Sequence, residues 1–312
     1  MRYQEPAFDV PADKALRVVI DTDAANEADD QYAIVQALLS PRLDIRALTA
    51  AHFGDEKSPH SMEDSYQEIL KLIAILNRRR DVFHMPVLRG ATHALEGGEP
   101  VESEGSRAIV AEALRDAEEP FYVLSLGALT NVASALMTEP AIARRMTVIW
   151  IGGNAYPEGG WEYNLKNDVR AARRVFQSGV PLWQVPRNVY QMMLVSVAEL
   201  AVQVRPCGEI GQYLYAHLVE WGHTFWGRRS PLRTGECWFL GDSPAVGLLL
   251  NEHEFHYHER SAPFLRDDMS YERREGPPTI RVYDSVDSRF ILQDLYAKLR
   301  LFTQDIPQGR NE

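Results

Sequence analysis

From Arg17 to Val185 the chain alternates short apolar runs with segments of helical apolar spacing, and few folds satisfy that alternation. Arg17 to Asp21 (RVVID) is β-branched and ends on acidic residues, which reads as a strand buried on both faces. Residues 43–50, 121–126, 146–151 and 182–185 read as further strands. Between them, residues 28–40, 61–77, 107–115, 129–137 and 168–178 carry the spacing of helices; Ala33, Ile34, Ala37 and Leu38 share one face, and Pro41 ends that helix. The pattern predicts an α/β fold with a mostly parallel central sheet flanked by helices, an open Rossmann-like arrangement. Such sheets bind ligands beyond the carboxyl ends of their strands. Residues 197–226 look helical and aromatic, 252–278 read as a polar loop or hairpin, and 287–299 as a closing helix. No internal repeat or linker interrupts the chain, so a single domain over residues 1–312 is expected.

Composition narrows the partners. A formal net charge of −11 disfavours a polyanion such as DNA or RNA, so any nucleic-acid-derived ligand is expected to be a monomer. The first residues lack the apolar stretch of a signal peptide, and no apolar run approaches the ~20 residues of a membrane span. The only cysteines, Cys207 and Cys237, read as reduced thiols, with a disulfide between them the lesser alternative. A cytoplasmic location is the corresponding expectation. The paired arginines, such as Arg78 with Arg79 and Arg228 with Arg229, read as solvated helix faces.

The segment directly after the first strand is the chemical signal. Residues 21–30 hold five carboxylates, from Asp21, Asp23, Glu27, Asp29 and Asp30. Like charges this close repel by about 1 kcal/mol per pair even in water. A helix N-terminus accounts for Asp29 or Asp30, because acids there suit the helix dipole, but it leaves Asp21 and Asp23 unexplained. A metal ion accounts for the whole cluster. With no His or Cys among the donors, the ion is hard: Ca²⁺ or Mg²⁺ rather than zinc.

Asp21-Thr-Asp23 followed by Asp29-Asp30 resembles the DxDxxxDD signature of the inosine–uridine-preferring nucleoside hydrolases, with two extra residues between the second and third aspartates. Further segments match in the family's order. Leu126-Gly-Ala-Leu-Thr-Asn131 resembles its GPLTN segment. Gly152-Gly-Asn154, then Glu162-Tyr-Asn164 and Asn167-Asp168, resemble its GG…N…EFN…DP stretch, and Gly241-Asp242-Ser-Pro resembles its HDP segment. Taken singly, each also reads as an ordinary turn or helix cap.

The resemblance implies hydrolysis of the N-glycosidic bond of ribonucleosides, or of a related N-riboside, to ribose and free base. It implies Ca²⁺ on Asp23, Asp30, Asp242 and the Thr130 carbonyl, and a water at the metal activated by Asp23. Asp29, Asn154, Glu162 and Asn164 would bind the sugar. Asp21, Asn26, His52 and His223 are supporting positions with no assigned role. A homodimer or homotetramer is the implied assembly. The chain departs from the family at Gly241, where a histidine often assists the leaving base, and at Asp55, where an asparagine is usual. His223, Tyr215, Trp221 and Trp226 are the candidates to line a leaving-group pocket. Two other readings stay open: a calcium-dependent nucleoside- or sugar-binding protein without turnover, and a magnesium-dependent phosphatase of the haloacid-dehalogenase type. The second wants a further acid shortly after a Gly-Asp pair, and Asp242 is followed by Ser-Pro-Ala-Val.

Overall fold

The computed structural model describes residues 1–3, 6–230, 235–251 and 256–304. In chain order its first half comprises β1 (Leu16–Thr22), α1 (Asp30–Leu38), β2 (Leu43–Ala50), α2 (Ser61–Arg79), β3 (Val87–Arg89), α3 (Glu104–Ala113), β4 (Phe121–Ser125), α4 (Thr130–Thr138), β5 (Thr147–Ile151), α5 (Tyr163–Asn167), α6 (Val169–Gln177) and β6 (Leu182–Val185). The second half comprises α7 (Arg187–Tyr190), β7 (Leu194–Ser196), α8 (Val197–Gln203), α9 (Gly208–His223), β8 (Cys237–Phe239), α10 (Ser243–Leu250), β9 (Tyr257–Ser261), β10 (Phe264–Leu265), β11 (Tyr271–Glu272), β12 (Thr279–Tyr283) and α11 (Ser288–Thr303).

Eight strands form the main sheet in the order β3-β2-β1-β4-β5-β6-β12-β9. Neighbours are parallel except for β9, which runs antiparallel to β12 at the edge. Every residue of β1 is buried, as expected of a strand covered on both faces. Alternate side chains divide the core. Val18 and Ile20 face the cluster that includes Ile34, Leu38, Leu295 and Leu299. Val19 faces the opposite cluster with Val123, Ala133, Val148 and Val175. β1 pairs with β2 on one side and β4 on the other, so the sheet grows in both directions from this strand. That reversal opens a crevice at the carboxyl ends of β1 and β4, where Asp21 is paired with Ser125.

The expected alternation matches the observed strands and longer helices up to Val185, with the edge strand β3 and the short helix α5 absent from the expectation. A three-residue strand leaves too short a period to detect. The polar stretch 252–278 is richer than a loop or hairpin: β9 extends the main sheet and β10 pairs with β11 as a small hairpin, while β12, just beyond it, is a strand the sequence reading did not include. Residues 252–255 of that stretch, and 305–312 of the expected single domain, lie outside the described residues. Cys207 and Cys237 are not joined in a disulfide. Among the described residues no helix is long and apolar enough to cross a membrane.

One core side chain ties the sheet to the crevice. Trp150, fully buried on β5, packs edge-on against Phe176 and donates from Nε1 to the Gly127 carbonyl at 3.1 Å. Trp150→Phe removes that donor from the turn after β4. We expect a loss of about 1–3 kcal/mol from the orphaned carbonyl alone, read as a lower urea midpoint. An unchanged midpoint would show that the turn does not depend on the bond.

Candidate active site

Three elements converge on the crevice. β1 runs into Asp23, which is 1% exposed. Helix α1 begins with Asp29 at its N-cap and Asp30 in its first turn. Helix α10 has Asp242 at its N-cap. One carboxylate oxygen from each of Asp29, Asp30 and Asp242 lies within 4.8 Å of the others. The two helix N-termini place partial positive charge there. Two donors steady the carboxylates: the Thr22 hydroxyl donates to Asp30, and the Gly241 N–H donates to Asp29 Oδ2 at 3.0 Å. Asp23 keeps one buried oxygen, Oδ2, without a partner. Its position requires Gly127, since a Cβ there would come within 2.9 Å of the Asp23 carboxylate.

Burial at this density works against ionisation. Desolvation pushes Asp21 up to about 7, against the hydrogen bond from Asn131. Desolvation also pushes Asp30 up to about 6, against the Thr22 hydroxyl. Asp23, Asp29 and Asp242 are held well above the usual carboxylate range, first by desolvation and then by neighbouring carboxylates, Asp30 beside all three. Packed carboxylates, an unpartnered buried oxygen and an all-oxygen donor set fit a hard divalent cation.

Beside the cluster lies a cleft of about 80 Å³. Asn26 and Glu27 line it on the side of the acidic loop; Leu126, Ile151, Glu162, Tyr163, Asn164 and Tyr190 line it opposite. Asn164 donates from its amide to the carbonyls of Leu126 at 2.8 Å and Ile151 at 2.9 Å, which leaves Oδ1 as its available end. Glu162 is fully engaged. It accepts from Gly153 N and Leu165 N through Oε2, and from Asn164 N and the Tyr190 hydroxyl through Oε1.

The structure thus brings Asp23, Asn26, Asp29, Asp30, Glu162, Asn164 and Asp242 together around one cleft. Other expected residues sit apart from its walls. Thr130 opens helix α4, which commits its carbonyl to the helix, and its hydroxyl donates to Asp168 Oδ2 at 2.8 Å. From that segment it is Leu126 that lines the cleft, its carbonyl accepting from the Asn164 amide at 2.8 Å. Asn154 is used locally: its amide donates to the Trp161 carbonyl and its oxygen accepts from Ala155 N. His52 accepts from Gly54 N at Nδ1, so its proton is on Nε2, directed to the Thr130 hydroxyl. Burial lowers this imidazole to about 4 and keeps it neutral. Asp21 lies behind the cluster, held by the Asn131 amide at 2.8 Å. His223 lines a separate cavity with Cys237 and Trp238, Tyr215 packs beneath Arg205, and Asp55 is exposed.

Sequence reasoning did not single out Leu126, Tyr163, Tyr190 or Lys57. Tyr163 was visible as the residue between Glu162 and Asn164. Tyr190 carried no signal, because it reaches the cleft only through the short helix α7. Its ring stands where a side chain at position 241 would begin: a Cβ on Gly241 would lie 3.2 Å from both Tyr190 Cδ2 and Asp29 Oδ2.

A family model described as inosine-uridine preferring nucleoside hydrolase matches residues 18–293. The pyrimidine-specific ribonucleoside hydrolase RihA of Escherichia coli O1:K1 is 33% identical over 194 residues, which cover 54% of this chain and 59% of that relative's length. Among solved structures, a plant nucleoside hydrolase superposes with a TM-score of 0.72 over 91% of this chain and 99% of its own, at 21% identity. A purine-preferring ribonucleoside hydrolase from Gardnerella vaginalis gives 0.72 over 92% of this chain and 99% of its own, at 19% identity. The structural matches show a shared fold.

The raised carboxyls would make any cation binding here depend on pH. Their folded pKa values exceed the unfolded ones, so the cation-free folded protein holds protons that the unfolded chain has released. Its stability from these groups is therefore lost as pH rises from about 4 to about 7. A bound cation displaces those protons, so the melting temperature should rise with calcium far more at about pH 8 than at about pH 5. A calcium increment that is absent at both, or larger at the lower pH, would contradict this.

Proposed function

Since this chain belongs to the inosine–uridine preferring nucleoside hydrolase family, we propose that it hydrolyses the N-glycosidic bond of ribonucleosides, or of a related N-riboside, with calcium as its resident ion. The observation that carries this reading is the convergence of Asp23, Asp29, Asp30 and Asp242 beside a cleft walled by Asn164 and Tyr163. Asp23, Asp30 and Asp242 would hold the ion, with the Leu126 carbonyl rather than that of Thr130 as the backbone ligand. Calcium there would neutralise the carboxylates and bind the vicinal hydroxyls that distinguish ribose from a 2′-deoxy sugar.

The chain's own groups divide the remaining work. Asp29, fixed through Oδ2 by Gly241, and Asn164, with Oδ1 free, offer acceptors to sugar hydroxyls. Glu162 acts by positioning, because its four donors include the backbone of Asn164 and the Tyr190 hydroxyl. Asp23 is the base: it is buried beside the position of the ion, and it has an unpartnered oxygen to take a proton from water. As the C–N bond breaks, C1′ gains oxocarbenium character, and the surrounding carboxylates stabilise that charge. His52, Thr130 and Asp168 form a buried hydrogen-bonded chain that supports the turn after β4.

Two measurements test the reading. Purified protein incubated with a panel of ribonucleosides should release reducing sugar, and removal of the metal by a chelator should abolish the release. Binding without sugar release across the whole panel would instead identify a calcium-dependent binding protein. Asp23→Asn should lower kcat by about 10²–10⁴-fold, the usual cost of losing a general base, with a smaller change in KM. An unaffected kcat would move the base elsewhere, with Asp29 next in line.

A further inference from the structure

Help for the departing base cannot come from position 241. Gly241 has no donor side chain, and the Tyr190 ring stands against that position with its hydroxyl already given to Glu162. The rim of the cleft holds another candidate. Lys57 lies in the loop before α2, and its side chain is only 9% exposed, uncommon for a lysine. Its ammonium donates to Asn26 Oδ1 at 2.6 Å and to the Asn26 carbonyl at 3.2 Å, and lies 3.6 Å from Glu27 Oε1. It also stands 4.5 Å from the ring centre of Tyr163 and 5.0 Å from that of Trp221. Asn26, Glu27 and Tyr163 all line the cleft. Asn26 and Glu27 fall within the stretch that departs in length from the DxDxxxDD pattern.

We propose that Lys57, by its own charge and by orienting Asn26, stabilises the leaving group and so determines which bases this site expels. The inference rests on the N-riboside hydrolase reading. With Asn26 Oδ1 taken by Lys57, the end of that side chain left for a ligand is its amide N–H₂. The rim therefore offers an amide donor, with the Lys57 ammonium held behind it by Asn26 and Glu27, and Tyr163 can cover the flat face of a base. In the reaction, the water oxygen bonds to C1′ and its proton passes to Asp23. The electron pair of the broken C–N bond stays on the base nitrogen, and the base takes its proton from solvent. The negative charge that develops on the base is what the Asn26 amide meets, with the charge of Lys57 behind it. Their contribution grows with the basicity of the departing group, since a poor leaving group holds more of that charge in the transition state.

The test compares uridine and inosine with nitrophenyl riboside, whose leaving group departs readily unaided. Lys57→Met should lower kcat on the nucleosides by about 10²-fold, as removal of one such electrostatic donor does. The loss on the nitrophenyl riboside should be about tenfold smaller, and KM should move less than kcat on both. Lys57→Arg, which keeps the charge, should recover part of the nucleoside rate, and Asn26→Ala should share the same bias at smaller size. Calcium-dependent thermal stabilisation of each variant checks that the fold and the cation site persist. Equal losses on all substrates, or a raised KM with kcat intact, would overturn the role of Lys57 and leave it a brace of the rim. If the wild type releases ribose from none of these substrates, the hydrolase reading itself has failed, and this inference fails with it.

Discussion

The site depends on burying several carboxylates together, which desolvation opposes first and like charge second. Asp23, Asp30 and Asp242 are nearly inaccessible, and Asp29 is half-buried beside them. Desolvation and like charge both oppose ionisation of such a group, and isolated hydrogen bonds from Thr22 and Gly241 offset only part of the cost. A divalent cation resolves the conflict in one step, because it is compensated by the charges that otherwise repel. On the proposed reaction, the same arrangement would suit a sugar that becomes positively charged as it reacts.

The sheet exists around that cluster in a definite way. β1 and β4 diverge at the switch point, so the loops that follow them are free to face each other across a crevice. Helices α1 and α10 then aim their N-termini into it. Behind the crevice a set of polar braces holds the loops. Asn131 links Asp21 on β1 to Ala91 and Ser103, and Thr130 links His52 to Asp168. These residues are chemically conspicuous in the sequence, yet their work is to keep the loops in place.

The legible part of the sequence was the part written in local periodicity or in dense like charge. The parallel strands up to Val185 alternate cleanly with helices, and five acids in residues 21–30 have no solvated explanation that covers all of them. The less legible part depends on contacts between distant segments. Thr130 and Leu126 are four positions apart in one motif, and only the start of helix α4 decides which backbone carbonyl can face the cleft. Asn154 sits in a polar loop that looks like a sugar site, but its amide is spent on Trp161. Tyr190 and Lys57 are brought in by tertiary structure from segments without a motif, and no spacing rule would have joined them to Asp29 or Asn26. β9 was hidden because it is charged, as an exposed edge strand is, and β12 lies outside the strand–helix alternation that ends at Val185.

The central claim is that this cluster is a single cation site built from the carboxylates that follow β1 and stand at the N-termini of α1 and α10. Terbium luminescence tests it directly, since a lanthanide takes calcium's oxygen ligands and Tyr163 and Tyr190 lie in the same cleft to sensitise it. Titration of cation-free protein should give one saturable, calcium-displaceable site per chain, lost in both Asp30→Asn and Asp242→Asn while the fold persists. Unsaturable emission, or full binding retained in both variants, would contradict the site.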